Sequence, residues 1–182
     1  MLETHQKFLK QLKLSSKDKI LDVSAGTGIL AEKIVKKHGS FKKLVLNDPS
    51  KKMLERAKYR LRNQKYVEYR YRLTEELFAE EDRFTKVLCL NSFHYYVDQD
   101  KSLENISNVL EPGGTLYIQD WNRVGRMKVF GKIIDWLSPE NINTRNIEEM
   151  KLLLKKHGFK VKTEKVWSFR WWNFFFIRAV KN

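Results

Sequence analysis

Cysteine is almost absent: the chain has one, Cys89, among 182 residues, and it sits inside an apolar run. A disulfide framework and a cysteine-rich zinc site are therefore excluded. No metal site is expected, and the expected setting is reducing and cytoplasmic. No window approaches the roughly 18 uninterrupted apolar residues of a membrane-spanning helix. The opening residues, MLETHQKFLKQLKL, alternate charged and apolar side chains and lack the apolar centre of a signal peptide. Nothing repeats, and nothing resembles a linker between domains. Acidic residues are few, 22 against 36 basic ones, for a net charge of +14. Such a surplus can steer polyanions toward a surface. No basic run is long, however, and KIVKK, SKKMLERAK and KLLLKK read first as solvated helix faces.

What is present is a globular composition, 42% apolar and 13% aromatic, in a chain sized for one domain spanning 1–182. Its most informative stretch is ILDVSAGTG, Ile20–Gly28. An apolar strand signal runs into a glycine-rich turn, and the turn opens a helix pattern with Ile29, Leu30, Ile34 and Val35 at helical spacing. Such a unit presents backbone N–H groups, free of bulky side chains, to a nucleotide-like ligand. A second strand, Lys43–Asn47, ends at Asp48, where an α/β fold places the carboxylate that grips ribose hydroxyls.

Helix and strand signals alternate along the chain, the pattern of a mostly parallel sheet covered by helices. An N-terminal amphipathic helix carries Phe8, Leu9 and Leu12, and strand one covers Lys19–Val23. Ser50 caps a helix over Lys51–Arg62, with Met53, Leu54, Ala57 and Leu61 facing inward. The alternation over Tyr66–Leu73 suits a sheet edge. Lys86–Leu90 and Thr115–Ile118 read as buried strands, and between them a helix over Asp100–Leu110 stops at Pro112–Gly113–Gly114. A short covering helix is expected over Val129–Leu137, and another over Ile147–His157 ending at Gly158. Strands over Lys160–Val166 and Trp172–Val180 close the chain. The run FRWWNFFFIRAV reads as a strand packed under helices in preference to a stacking platform for nucleic acid.

With those residues in hand, the chain resembles the class I S-adenosylmethionine-dependent methyltransferases from about Ser15 onward. ILDVSAGTG looks like their first motif, usually D-x-G-x-G-x-G, and LVLNDPSKKMLERAK like the second strand with its acidic tip. RFTKVLCLNSFHYYVD is similar to the fourth strand and its loop, and VLEPGGTLYIQDW to the R-x-L-K-P-G-G turn and fifth strand. The tail GFKVKTEKVWSFRWWNFFFIRAVK resembles the closing antiparallel pair. Within the class the likeness is to the small-molecule branch that includes quinone-ring methyltransferases.

The resemblance implies a Rossmann-like, three-layer α/β/α sandwich with a seven-stranded sheet, order 3-2-1-4-5-7-6, strand seven antiparallel. It implies S-adenosylmethionine held by Asp22, Ser24, Ala25, Gly26, Gly28, Asp48, Pro49, Leu73, Thr74, Asn91 and Phe93. Gly26 and Gly28 would let the backbone approach the methionine portion, and Asp22 would orient the loop or the ammonium. Tyr95 and Tyr96 follow at the mouth, where aromatic faces stabilise a sulfonium by cation–π attraction. Two departures stand out. Ser24 replaces the usual first glycine, and Leu73 or Thr74 falls where the family has an adenine-contacting Asp. His94 and Asp120 are the candidate general bases, in that order. Trp121, Arg123 and Arg145 are candidate pocket residues, with a lid expected over 122–145.

The expected activity is methyl transfer to a small-molecule acceptor. A nucleic-acid methyltransferase is the alternative, favoured by the charge. It is disfavoured because strand four ends NSFHYY, without an Asn/Asp-Pro-Pro-aromatic clamp, and because Cys89 lacks a Pro-Cys context. A non-catalytic protein retaining the fold is the third reading.

Overall fold

The computed structural model describes residues 2–77, 83–124, 142–169 and 171–182. In chain order its elements are α1 (Leu2–Gln11), β1 (Lys19–Asp22), α2 (Ile29–His38), β2 (Lys43–Asn47), α3 (Lys51–Arg60) and β3 (Val67–Arg70). There follow β4 (Phe84–Leu90), α4 (Gln99–Val109), β5 (Leu110–Trp121), α5 (Ile147–Lys156), β6 (Phe159–Phe169) and β7 (Trp172–Lys181). Short 3-10 turns occupy Thr74–Glu76 and Phe93–Tyr95.

The seven strands form one sheet in the expected order, β3-β2-β1-β4-β5-β7-β6. Neighbours from β3 to β5 are parallel, and β7 runs antiparallel to both β5 and β6. Alternate strand residues feed two cores, because successive side chains leave a strand on opposite faces. Ile20, Leu44, Leu46, Leu88, Tyr117 and Phe176 pack beneath α1, α2 and α3. Leu21, Val45, Val87, Leu116, Ile118 and Ile177 pack beneath α4 and α5. Both faces of the central strands are thus covered, which explains the unbroken apolar runs VLCL and FFFI. Each fully buried aliphatic or aromatic side chain contributes about 1.5–3 kcal/mol. Cys89 is one of the buried residues on the α4 side, and burial pushes its thiol up to about 12.

Polar residues fix the helix ends. Asp98 accepts the Lys101 N–H at 2.8 Å, and Asn146 and Glu149 form a reciprocal capping box at α5. Ser50 caps α3 through the Met53 N–H. Gly158, at φ +79°, ends α5 as expected.

Four expectations need correction. β3 stops at Arg70, so Leu73 and Thr74 lie beyond the strand, at the opening of a 3-10 turn. Helix α4 stops at Val109, and Pro112–Gly113–Gly114 is absorbed into β5 where the β4–β5 register shifts. Helix α3 ends at Arg60, two residues short of the expected Arg62. Met53 is 40% exposed because it flanks a cleft, while Leu54, Ala57 and Leu61 do face the core. The helix expected over Val129–Leu137 lies outside the described residues.

Candidate functional site

The sheet order reverses between β1 and β4: α2, after β1, covers one face, and α4, after β4, covers the other. The carboxyl ends of two such strands diverge and leave a crevice, the usual ligand position in an open α/β sheet. The loop after β1 is fastened there by backbone bonds. Val23 N–H donates to Leu88 O at 3.0 Å and Ala25 N–H to Asn47 O at 2.9 Å. Gly26 N–H donates to the Asp48 carboxylate at 2.8 Å.

Gly26 holds φ +53° and has open space where a Cβ would stand, so it lends the crevice a bare backbone. Gly28 differs. At φ +74° its missing Cβ would lie 2.9 Å from the Ala57 Cβ, so it is bare to let α3 pack against α2, and it lines no part of the crevice. Gly28 thus has a packing role at the start of α2.

Two cavities occupy the crevice and share one residue, Ser24. The first, about 400 Å³, is walled by Asp22, Ala25, Gly26, Leu90 and Asn91, with His5 of α1 and Met53 of α3 at its margins. The second, about 210 Å³, is walled by Asp48, Pro49, Leu73, Thr74, Ser92, Tyr95 and Tyr96. Ser24 Oγ lies 2.6 Å from the Tyr96 hydroxyl, so the residue that replaces a glycine is tied to the loop after β4. Burial holds the Tyr96 phenol well above its ordinary range, and it stays a neutral hydroxyl.

Asp22 is buried and accepts a long hydrogen bond from the Ser24 N–H at 3.4 Å. Burial, reinforced by the nearby Asp48 charge, raises its carboxyl from 3.8 to about 7. A cationic group beside it would restore the charged form. Asp48 uses one oxygen for Gly26 N–H and the other for Ser50 N–H at 2.9 Å. It therefore fastens the glycine loop and starts the turn into α3, and it also lines the second cavity. Asn91, at the tip of β4, is the one non-glycine residue among those described with positive φ, at 53°. Its backbone N–H donates to Gln119 O, and the Gln119 side-chain amide donates to its Oδ1 at 3.2 Å. A left-handed residue held by a buried partner is strain of the kind found at ligand sites.

Other expected residues fall differently. Leu73 is 47% exposed at the rim, and Thr74 is buried with its carbonyl taken by Asn105 Nδ2. Phe93 sits in the core, packed edge-on against Tyr96 at 5.3 Å, and lines neither cavity. The aromatic wall comes from Tyr95 and Tyr96 in its place.

His94 and Asp120, ranked separately in the sequence, are brought together. Asp120 Oδ1 meets His94 Nδ1 at 2.5 Å, and Asp120 Oδ2 accepts the His94 backbone N–H at 2.9 Å. The imidazole stacks on Trp121 at 4.0 Å, and Trp121 in turn leans on Trp172. His94 Nε2 is buried and has no hydrogen-bond partner among the described residues. Neither His94 nor Asp120 lines the two cavities. Arg123 Nη2 donates to both carboxylate oxygens of Glu149, and Arg145 donates to Gln99 Oε1; both arginines border a separate polar groove of about 800 Å³. Of the expected lid, residues 125–141 lie outside the description.

Sequence reasoning missed His5, Met53 and Ser92 as crevice residues. Ser92 carries the one available signal, a small polar residue directly after Asn91 at the tip of a strand.

A family profile described as a methyltransferase domain matches residues 1–164, and the chain belongs to that family. The ubiquinone/menaquinone biosynthesis C-methyltransferase UbiE of Francisella philomiragia is 34% identical over 109 residues, 58% of this chain and 44% of that protein. The chain thus spans less than half the length of the curated relatives it matches. Among solved structures, a putative methyltransferase from Bacillus halodurans superposes with a TM-score of 0.83 at 16% identity, covering 97% of this chain and 98% of the other. A putative S-adenosylmethionine-dependent methyltransferase from Listeria monocytogenes gives 0.82 at 17% identity, covering 100% of both. These likenesses establish the fold.

Proposed function

We propose that this protein transfers a methyl group from S-adenosylmethionine to a small, planar, apolar acceptor of the quinone-ring kind. The observation that carries the reading is the pair of cavities meeting at Ser24 along the carboxyl edge of β1, β2 and β4. The first offers bare backbone at Gly26 and a buried carboxyl at Asp22, suited to a cationic amino-acid arm. The second offers Asp48 for vicinal hydroxyls and an apolar slot between Pro49, Leu73 and Tyr95 for a base. When bound, the cofactor supplies a methyl group on a cationic sulfur. The chain's own residues align the reactants and exclude water.

The acceptor assignment is supported by the UbiE relatives and by the aromatic side chains of Tyr95 and Tyr96, which line the second cavity. His94, oriented by Asp120, is the group we assign to receive a proton where the acceptor must lose one. Its Nε2 is reached only once the packing of Trp121 and Tyr95 opens.

Titration calorimetry with S-adenosylmethionine tests the reading. Wild type binds, and Asp48→Ala weakens binding roughly ten- to hundredfold, the effect of losing charge-assisted hydrogen bonds. Equal affinities would remove Asp48 from the ligand's path, and no binding by wild type would remove the cofactor.

A further inference from the structure

The chain's densest positive charge has no part in the site above. Residues 51–65, KKMLERAKYRLRNQK, hold seven lysines and arginines against one glutamate. Most of them ride on α3, and they oppose its own electrostatics. The first turn of α3 carries Lys51 and Lys52 and no acid, against the direction favoured by the helix dipole. Lys52 and Arg56, then Arg56 and Arg60, stand four residues apart, where like charges repel. A merely solvated face would intersperse the two signs.

The structure sets this charge in a concavity. A groove of about 980 Å³ runs between α2 and α3, lined by Thr27, Ile29, Lys52, Arg56, Tyr59 and Arg62. Two glutamates also border it, and both are already engaged. Glu32 is held by Lys36 at 2.9 Å and Arg60 at 3.0 Å, and Glu55 by Lys58 at 3.1 Å and the Tyr71 hydroxyl at 2.8 Å. Lys52, Arg56 and Arg62 have no acidic partner among the described residues. Tyr59 is 72% exposed, and the Arg62 guanidinium lies 4.6 Å from its ring centre. The groove shares Thr27 and Ile29 with the first crevice cavity, so it opens beside the cofactor loop.

From this we infer that the α2–α3 groove is a binding surface for a single-stranded nucleic acid, with Lys52, Arg56 and Arg62 on phosphates and Tyr59 against a base. Cations without acidic partners, set in a track beside an exposed ring, are what a flexible phosphodiester strand engages, and Arg62 is held beside that ring by its bond to the Tyr59 carbonyl at 2.9 Å. An anionic membrane would ask for a convex or flat face with inserted apolar side chains, and this face is concave. The inference concerns holding the strand and does not depend on the cofactor reading. The loop after β4 carries no clamp for a base amino group.

The test is fluorescence anisotropy of a labelled RNA of about 20 nucleotides, titrated with the full chain between about 50 and 250 mM NaCl. Two triple variants remove the same charge: Lys52→Gln/Arg56→Gln/Arg62→Gln in the groove, and Lys155→Gln/Lys160→Gln/Lys162→Gln on the far side. Wild type binds, the groove variant binds at least about tenfold more weakly at low salt, and its log–log salt slope is shallower by about 2, from three lost contacts at roughly 0.7 each. The far-side variant stays within about threefold of wild type. An unchanged melting temperature in the groove variant separates lost contacts from lost fold. Equal weakening in both variants, no binding by wild type at low salt, or capture by anionic phosphatidylglycerol vesicles without RNA binding would each overturn the inference.

Discussion

Replacing Asp22 with Asn tests the electrostatics of the crevice, because the two side chains share a shape and differ in a titratable proton. In the folded chain burial lifts the Asp22 carboxyl from 3.8 to about 7, so the native state holds this proton more tightly than the unfolded chain does. The stability contributed by the protonated group is fully present below about pH 4. It is lost as pH rises through about 7, and it stays lost above that. At 1.36 kcal/mol per pH interval, the loss amounts to about 4 kcal/mol at most. The amide of Asp22→Asn carries no such dependence and can still accept the Ser24 N–H. Urea unfolding without cofactor, at pH 4.5 and pH 8 in constant salt, gives the comparison. The variant should match wild type within about 1 kcal/mol at the lower pH and exceed it by about 2–4 kcal/mol at the higher. A cationic ligand inverts the preference: wild-type affinity for S-adenosylmethionine should rise with pH up to about 7, and that of Asp22→Asn should stay flat. A stability difference independent of pH would refute the assignment of a buried, proton-binding Asp22.

Two substitutions probe the frame around the site. Gly28→Ala forces a Cβ to within 2.9 Å of Ala57 in a left-handed conformation, and it should lower stability by about 2–4 kcal/mol in urea melts. A loss under about 1 kcal/mol would mean that α2 and α3 separate freely. Asp120→Ala strips acceptors from the His94 ring, the His94 N–H and the Trp121 N–H, and should cost about 2–4 kcal/mol and release the Trp121 stacking. Trp fluorescence unchanged from wild type would show that the loop after β4 does not need this anchor.

The sequence of landmarks was legible because each is a local physical requirement: a bare turn after β1, an acid at the tip of β2, a turn before the buried part of β5. The strand order itself came from the resemblance to the methyltransferases, because periodicity does not encode which strands are neighbours. β3 was harder. Tyr71 and Leu73 continue the alternation of Val67 and Tyr69, but past Asn47 no partner strand remains for them, and the chain turns away at Arg70. Periodicity reports the faces of a segment and is silent about where its neighbour ends. The same limit explains Phe93 and Met53, whose environments are set by elements distant in sequence. Asp48 was identified by position, yet its grip on Gly26 N–H was not readable, since it depends on how two loops meet. The His94–Asp120 pairing likewise spans β4 and β5, and no spacing rule encodes it.

Cys89 has a practical corollary. A sole native sulfhydryl that is sealed in the interior and stays protonated at any working pH will ignore maleimides and mild oxidants. A cysteine introduced on the surface would then be the only reactive one. Fluorophores or spin labels can be attached site-specifically beside the α2–α3 groove or the crevice rim without first making a cysteine-free background.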